Sequence, residues 1–310
     1  MKVGYIGLGT MGGPMALNLI KAGHDVTVHD INKESAKEHL EKGATWADTP
    51  ADLGKASEVV FTSLPGPVEM EAVALGENGL IEGLSPGDCY FDLTTNSPTL
   101  VRRVHAEMAE KGIHLFDAPV SGGPKGAASG KMALWVGGDE AQYNENKEVL
   151  DDIGDRAMYV GPIGAGAIAK LVHNCSGYMM NAVFAEVFTM GVKAGLDPMA
   201  LWTAVRQGAA GRRRTFDKVP EHFLTNNFDP ASFALRLAHK DVTLATQLGK
   251  EIGVPMRIAN LTLEEMTEAR GRGWDDRDSR SMMILQKERA GVEIEVPKEL
   301  FDEAFKKEPM

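Results

Sequence analysis

Short apolar runs alternate with amphipathic stretches through the first half of the chain. Val3–Ile6, Val26–His29, Val59–Ser63, Cys89–Leu93 and His114–Phe116 are rich in β-branched or aromatic residues and are each too short for a helix. Between them, Gly13–Lys21, Lys33–Glu41 and Thr99–Lys111 space their apolar residues as a helix with one buried face would. Strands separated in this way by helices predict a parallel sheet covered on both faces. Two further runs, Ala133–Val136 and Ala157–Val160, flank a predicted helix from about Glu140 to Asp151 and extend the same sheet. The pattern changes after Gly161-Pro162-Ile163-Gly164-Ala165-Gly166, a cluster of turn formers. Beyond it the helical period dominates, and the strand signal at Val292–Val296 stands alone. The expected architecture is α/β: a doubly wound sheet over 1–163 and an all-helical domain over 164–310. A long interdomain helix, about Gly166 to Ala194, joins them and ends at Gly195. Phe301 and Phe305, in a charged C-terminal stretch, mark either a docking helix or a frayed tail.

Composition narrows the partners. A chain of 310 residues has room for two cores. Its formal net charge of -11, from 33 basic and 44 acidic side chains, gives no general attraction for nucleic acid or an anionic membrane. An anionic ligand must then be held by local groups. Leu171–Gly195 is apolar over about one bilayer-spanning length, but it carries His173, Asn174, Asn181, Glu186 and Lys193 and reads as a core helix. The N-terminus has neither the basic region nor the cleavage site of a signal peptide. Cys89 and Cys175 stand far apart, and the histidines form no ligand cluster. Reduced thiols, no metal and a cytoplasmic location are expected.

Gly7-Leu8-Gly9-Thr10-Met11-Gly12 follows the first strand and opens the first helix. The first glycine permits the tight turn, the second a close backbone approach to a pyrophosphate, and the third close helix–strand packing; the helix N-terminus offers its N–H groups. Asp30, at the end of the second strand, stands where a carboxylate accepts the adenosine ribose hydroxyls and repels a 2′-phosphate. Together they predict a Rossmann-type site for NAD, with NADP possible because Lys33 is near. Asp30 is alternatively a strand-end cap.

Three further segments sit at strand ends, where such sheets bind ligands. Leu64 and Pro65 are placed to pack on the nicotinamide side, and the Thr95 hydroxyl to reach a ribose or carboxamide; both loops are equally readable as ordinary turns. Ser121, Gly122 and Gly123 can present a hydroxyl and closely spaced N–H groups to a carboxylate. Lys170 and Asn174 lie four apart, on one face of the long helix. A lysine near a helix N-terminus is poorly placed for the dipole, which favours chemistry over a snorkelling surface role. Lys240, beside Asp241, either closes over the cofactor or makes a solvent-facing ion pair. Arg212, Arg213 and Arg214 are a solvated face, an interface or a clamp for an acidic substrate.

In order and spacing, four of these segments resemble the β-hydroxyacid dehydrogenase family, and within it the 3-hydroxyisobutyrate dehydrogenase group. They are G-Y-I-G-L-G-T-M-G-G-P-M-A-L-N-L from Gly4, D-A-P-V-S-G-G-P-K-G-A from Asp117, G-A-G-A-I-A-K-L-V-H-N from Gly164, and K-D at Lys240. The resemblance implies that Gly7 to Gly12, Asp30, Leu64, Pro65, Thr95 and Lys240 bind the cofactor. It also implies that Ser121, Gly122 and Gly123 hold the substrate carboxylate, that Asn174 orients the substrate and that Lys170 is the general acid/base. A homodimer or homotetramer is implied as well. The chain departs from the family at His173, where an asparagine is usual, at Pro124-Lys125, and from Trp274 onward. With the arginine run, Lys125 would favour a more acidic substrate. The rivals are an imine reductase on the same scaffold and a non-catalytic nucleotide-binding interaction protein.

Overall fold

The computed structural model describes residues 1–208, 211, 219–251, 253 and 255–307. It divides into two compact units, Met1–Val172 and His173–Met310.

The first unit is built on a nine-stranded sheet. Its strands are β1 (Lys2–Ile6), β2 (Asp25–His29), β3 (Thr45–Trp46), β4 (Val59–Thr62), β5 (Cys89–Asp92), β6 (His114–Asp117), β7 (Val120–Ser121), β8 (Ala133–Gly137) and β9 (Arg156–Gly161). The order runs β3-β2-β1-β4-β5-β6-β8-β7, with β9 paired to β8. The first six strands are parallel, and the order reverses direction between β1 and β4. That reversal is where an open α/β sheet leaves a crevice at its carboxyl edge. Beyond β6 the sheet is mixed, because β8 runs antiparallel to both β6 and β7.

Both faces are apolar because neighbouring residues point opposite ways. Tyr5, Phe61, Phe91 and Phe116 are register partners on one face and stack with centroids 6.2, 5.4 and 4.3 Å apart. Ile6, Val60, Tyr90 and Leu115 belong to the core on the other face.

The expected strands are present, with ends moved by a residue or two. Several elements escaped the pattern: the two-residue strands β3 and β7, the helices Pro50–Lys55, Pro67–Leu75 and Leu80–Gly83, and Gly123–Ser129, which is a helix rather than a loop. The expected helix from Glu140 is two, Glu140–Glu145 and Lys147–Ile153, interrupted at Asn146.

The long helix spans Ala165–Lys193, and the boundary between the units falls inside it. The second unit continues with helices Pro198–Gln207, Leu235–Glu251, Arg257–Gly271, Met283–Ala290 and Lys298–Lys307. The strand signal at 292–296 does not give a strand. Ile294 and Val296 are buried and the Val296 N–H reaches the Leu224 carbonyl, but no neighbouring strand pairs there among the described residues. The C-terminal stretch is a docked helix: Trp202 meets Phe301 and Phe305 edge-on, with centroids 5.0 and 5.6 Å away. Among the described residues no helix is long and apolar enough to cross a membrane, and no group of side chains suits a metal ion.

Candidate active site

The glycine turn leaves β1 and enters the first helix, Gly12–Lys21. Gly7 has φ +92°, and a Cβ there would stand 2.3 Å from the Ser63 carbonyl oxygen. A Cβ on Gly12 would stand 1.9 Å from the Gly7 oxygen. Both glycines are therefore required by the fold. Gly9 is not: a Cβ there meets nothing within 4 Å. The helix behind it has no side-chain cap and no acidic residue in its first turn. A bare backbone before an uncapped helix N-terminus fits the diphosphate of a dinucleotide. Thr10 is exposed beside Gly9, and Leu8 and Met11 turn toward the core.

Asp30 closes the turn from the second strand. One carboxylate oxygen accepts the Leu8 N–H at 2.7 Å and the other the Asn32 N–H at 2.8 Å. It thus does cap its own strand end, and it fixes the glycine turn at the same time. Lys33 lies 4.9 Å over the Trp46 ring, so its charge is engaged there rather than by Asp30.

The two neighbouring loops are tied together through a buried hub. Asp92, at the end of β5, accepts the Thr62 hydroxyl at 2.8 Å, the Thr94 N–H at 3.1 Å and the Asn96 amide at 3.0 Å. The Thr94 hydroxyl then accepts the Leu64 N–H at 3.0 Å. Leu64 and Thr95 are half-buried and Pro65 is exposed, all at the carboxyl edge. Burial pushes the Asp92 carboxyl above the ordinary range, against its hydrogen bonds to Thr94, Asn96 and Thr62. Sequence reasoning gave Asp92 and Thr94 no role, although an aspartate ending an apolar strand was a visible signal.

Ser121 ends β7, and Gly122 caps the helix Gly123–Ser129. Gly122 has φ +154°, and a Cβ on it would lie 2.6 Å from the Met132 sulfur. Gly123 has φ +63° and open space around its Cβ direction. Ser121 is half-buried, while Gly122, Gly123 and Lys125 are exposed. Lys125 makes no ion pair among the described residues.

Lys170 belongs to the first unit. It is half-buried, and its ammonium donates to the Val120 carbonyl at 2.8 Å, one residue before Ser121. The helix that carries it starts on Asp117, whose buried carboxylate accepts the Gly164 N–H at 2.7 Å and the Ala167 N–H at 2.6 Å. Lys170 and the Ser121-Gly122-Gly123 turn are therefore neighbours, as their assigned roles require.

In the second unit Asn174 donates to Asp241 at 2.6 Å, and the Asn174 carbonyl oxygen lies 3.0 Å from His173 Nδ1. The other Asp241 oxygen is 3.1 Å from the Lys240 ammonium. Asp241 is almost wholly buried, so this lysine pair is not simply a solvent-facing one. Asp241 orients both Asn174 and Lys240, a role the bare K-D dipeptide did not reveal. Arg212, Arg213 and Arg214 lie outside the described residues.

The NAD binding domain of 6-phosphogluconate dehydrogenase matches residues 2–161, and the NAD-binding domain of NADP-dependent 3-hydroxyisobutyrate dehydrogenase matches residues 164–285. The chain belongs to the β-hydroxyacid dehydrogenase family. Within that family it is 33% identical to the 2-(hydroxymethyl)glutarate dehydrogenase of Eubacterium barkeri, over 95% of this chain and 97% of that one. It is 32% identical to the 3-sulfolactaldehyde reductase of Escherichia coli, over 95% and 98%. The solved 3-hydroxyisobutyrate dehydrogenase of Mycobacterium tuberculosis with L-serine superposes at a TM-score of 0.83, with 28% identity over 91% of this chain and 98% of that one. As a β-hydroxyacid dehydrogenase, the chain is an NAD(P)-dependent oxidoreductase of hydroxy acids. Residues Trp274–Arg280, which depart from the usual pattern, lie inside the matched span.

Proposed function

We propose that the protein transfers a hydride between NAD and a small 3-hydroxy acid, interconverting the acid and its semialdehyde, with Lys170 as general acid/base. The observation that carries this reading is the Lys170 ammonium held 2.8 Å from Val120 O, beside the Ser121-Gly122-Gly123 turn. A dinucleotide held by its diphosphate at the glycine turn would supply the nicotinamide that accepts or donates the hydride. Ser121 and the N–H groups of Gly122 and Gly123 would bind the substrate carboxylate and fix the carbinol carbon by orientation. Lys170 would take the hydroxyl proton in oxidation and return it in reduction. Asn174, its amide fixed by Asp241, would hold the substrate, and Lys240 would close over the cofactor. Leu64, Pro65 and Thr95 would line the nicotinamide side. Asp30 supports a preference for NAD over NADP. A lysine in this position suits alcohol rather than imine chemistry.

Lys125, exposed and without an ion-pair partner among the described residues, supports a substrate with a second anionic group. The name of one relative also describes such a substrate, a substituted glutarate with two carboxylates. Exposed Met180 and Val183 on the long helix, with Ile258 and Leu261, support a homodimer or homotetramer. Both cysteines are free and buried, which suits a cytoplasmic enzyme. The test is kcat/KM with NAD and NADP on 3-hydroxyisobutyrate, L-threonate, tartronate semialdehyde, 2-(hydroxymethyl)glutarate and a sulfonated three-carbon acid. Turnover of a 3-hydroxy acid with NAD is expected, highest for a doubly anionic one. Turnover of imines alone would overturn the function, and a clear preference for the singly charged acids would overturn the substrate class.

A further inference from the structure

The long helix starts on a carboxylate rather than on an ordinary cap. Asp117 ends β6, is only 1% exposed, and accepts two N–H groups of the turn that opens the helix, Gly164 at 2.7 Å and Ala167 at 2.6 Å. N–H groups at a helix start have no carbonyl within the helix to meet. The surroundings are built to admit this contact. A Cβ on Gly137 would lie 2.5 Å from an Asp117 carboxylate oxygen, and a Cβ on Gly166 2.4 Å from the Asp117 carbonyl oxygen. Three residues after Ala167 comes Lys170, whose ammonium reaches Val120 O, itself three residues after Asp117. The opening of the helix is thus pinned twice to one short segment, by the carboxylate at its start and by the amine at its end.

We propose that Asp117 is a positioning residue for Lys170: the ionised carboxylate docks the first turn of the long helix on the end of β6 and so sets where the amine stands. The proposal rests on the reading of Lys170 as the proton-transfer residue. The ionised form offers strong acceptors on both oxygens; protonation puts an O–H on one of them and weakens its bond to the N–H that it holds. Burial pushes the Asp117 carboxyl up to about 7, against the pull of the Ala167 and Gly164 N–H groups, and Asp92 on the adjacent strand pushes the same way. Of the charged groups on the packed elements, Asp92 on β5 acts on Asp117, Arg102 lies beside Gly164 and Lys170 follows on the long helix, whereas Arg103 on the Arg102 helix pairs with Glu71 and Glu107; β8 carries no charged residue. The Gly164 and Ala167 N–H groups favour ionisation, and Asp92 opposes it. The docked turn is then complete above neutrality and progressively undone below it.

The test is run in the direction of reduction, where Lys170 must carry the proton it gives up. Wild-type kcat should rise with pH through about 7 on the acid side. Asp117→Asn should remove that limb and lower kcat roughly 10- to 100-fold, the scale of a misplaced catalytic group, with the dinucleotide Kd changed less than about threefold. A residue that merely stabilised the fold would lower Tm without moving the pH profile. The second measurement needs neither a variant nor a substrate: the backbone amide resonances of Gly164 and Ala167 in the wild-type full chain should titrate together near pH 7. Flat resonances between about pH 5.5 and about pH 8.5, or an acid limb that survives in Asp117→Asn with kcat intact, would overturn the proposal. Flat resonances with an inactive Lys170→Ala overturn the positioning role alone. Titrating resonances with a fully active Lys170→Ala overturn instead the reading of Lys170, and the positioning role with it.

Discussion

The two glycine-rich turns of the first unit differ in why they need glycine. In Gly7–Gly12, the fold itself explains the outer two: Gly7 has a positive φ, and Gly12 packs against the Gly7 carbonyl. Gly9 has neither reason, and its open space lies where the turn would face a diphosphate. In Ser121–Gly126, every glycine has an internal reason. Gly122 and Gly126 crowd Met132 and the Lys131 carbonyl, and Gly123, though open, holds a φ of +63° that L side chains rarely adopt. Space and backbone angle thus give different evidence. A glycine free in both respects, where it stands in a turn before a helix N-terminus, leaves room for a ligand; a glycine constrained in either respect is accounted for by the fold.

The largest expected effect removes the chemistry and leaves both turns in place. Lys170→Ala should lose at least ~100-fold in kcat, the low end for a general acid/base, with NAD affinity by calorimetry little changed. Loss of NAD binding with unchanged turnover would remove Lys170 from its role.

Within the first turn, the two kinds of glycine should separate. Gly12→Ala must push a methyl into the Gly7 carbonyl and should cost about 1–3 kcal/mol of folding stability, seen in urea denaturation. Gly9→Ala should leave that midpoint in place and weaken dinucleotide binding on the order of tenfold, about 1.4 kcal/mol. A Gly9→Ala protein that binds NAD normally would break the distinction.

The smallest effect belongs to the second turn. Gly123→Ala should cost about 1 kcal/mol, the scale of a non-glycine residue with positive φ. It should raise the substrate KM only modestly and leave NAD binding unchanged. Asp117 adds a dependence on pH. Its folded value of about 7 lies above the ordinary 3.8, so the folded chain holds this proton more tightly than the unfolded chain. Its contribution to stability is full below about pH 3.8 and is lost as the pH rises through 7. Asp117→Asn should therefore flatten the fall in stability between those values.

Regular elements were legible in the sequence because burial on both faces leaves an unbroken apolar run. β1, β2, β4, β5 and β6 announce themselves this way, and the apolar stretch after Gly164 announces the long helix. β3 did not, because two residues carry no period. Gly123–Ser129 looked like a loop because its opening Gly-Pro lowers helix propensity, while that same proline at a helix start is well tolerated. Val292–Val296 misled in the opposite sense. It alternates buried Ile294 and Val296 with exposed Glu293 and Glu295, as a strand would, but the surface it meets is helical. At the candidate site, the residues proposed to face ligands were picked out by spacing, whereas the supporting roles of Asp92, Asp117 and Asp241 were not. Their partners lie 30, 50 and 67 positions away, in Thr62, Ala167 and Asn174, and only folding brings them together.

Asn18, on the first helix, donates its amide to the Ala127 carbonyl of the short helix after Gly123, across 109 positions of sequence. This strut links the supports of the two turns inside one compact unit, alongside the buried contact of Leu8, Met15 and Leu19 with Ala127 and Met132 in a common core. With the glycine turn as the proposed phosphate cradle and Ser121-Gly122-Gly123 as the proposed carboxylate cradle, the spacing between them would be a fixed gauge, set when the chain folds. A hydroxy acid whose reacting carbon lies one bond nearer to or farther from its carboxylate would then present the wrong atom to the nicotinamide, so the sheet and its two helices would act as a ruler for chain length.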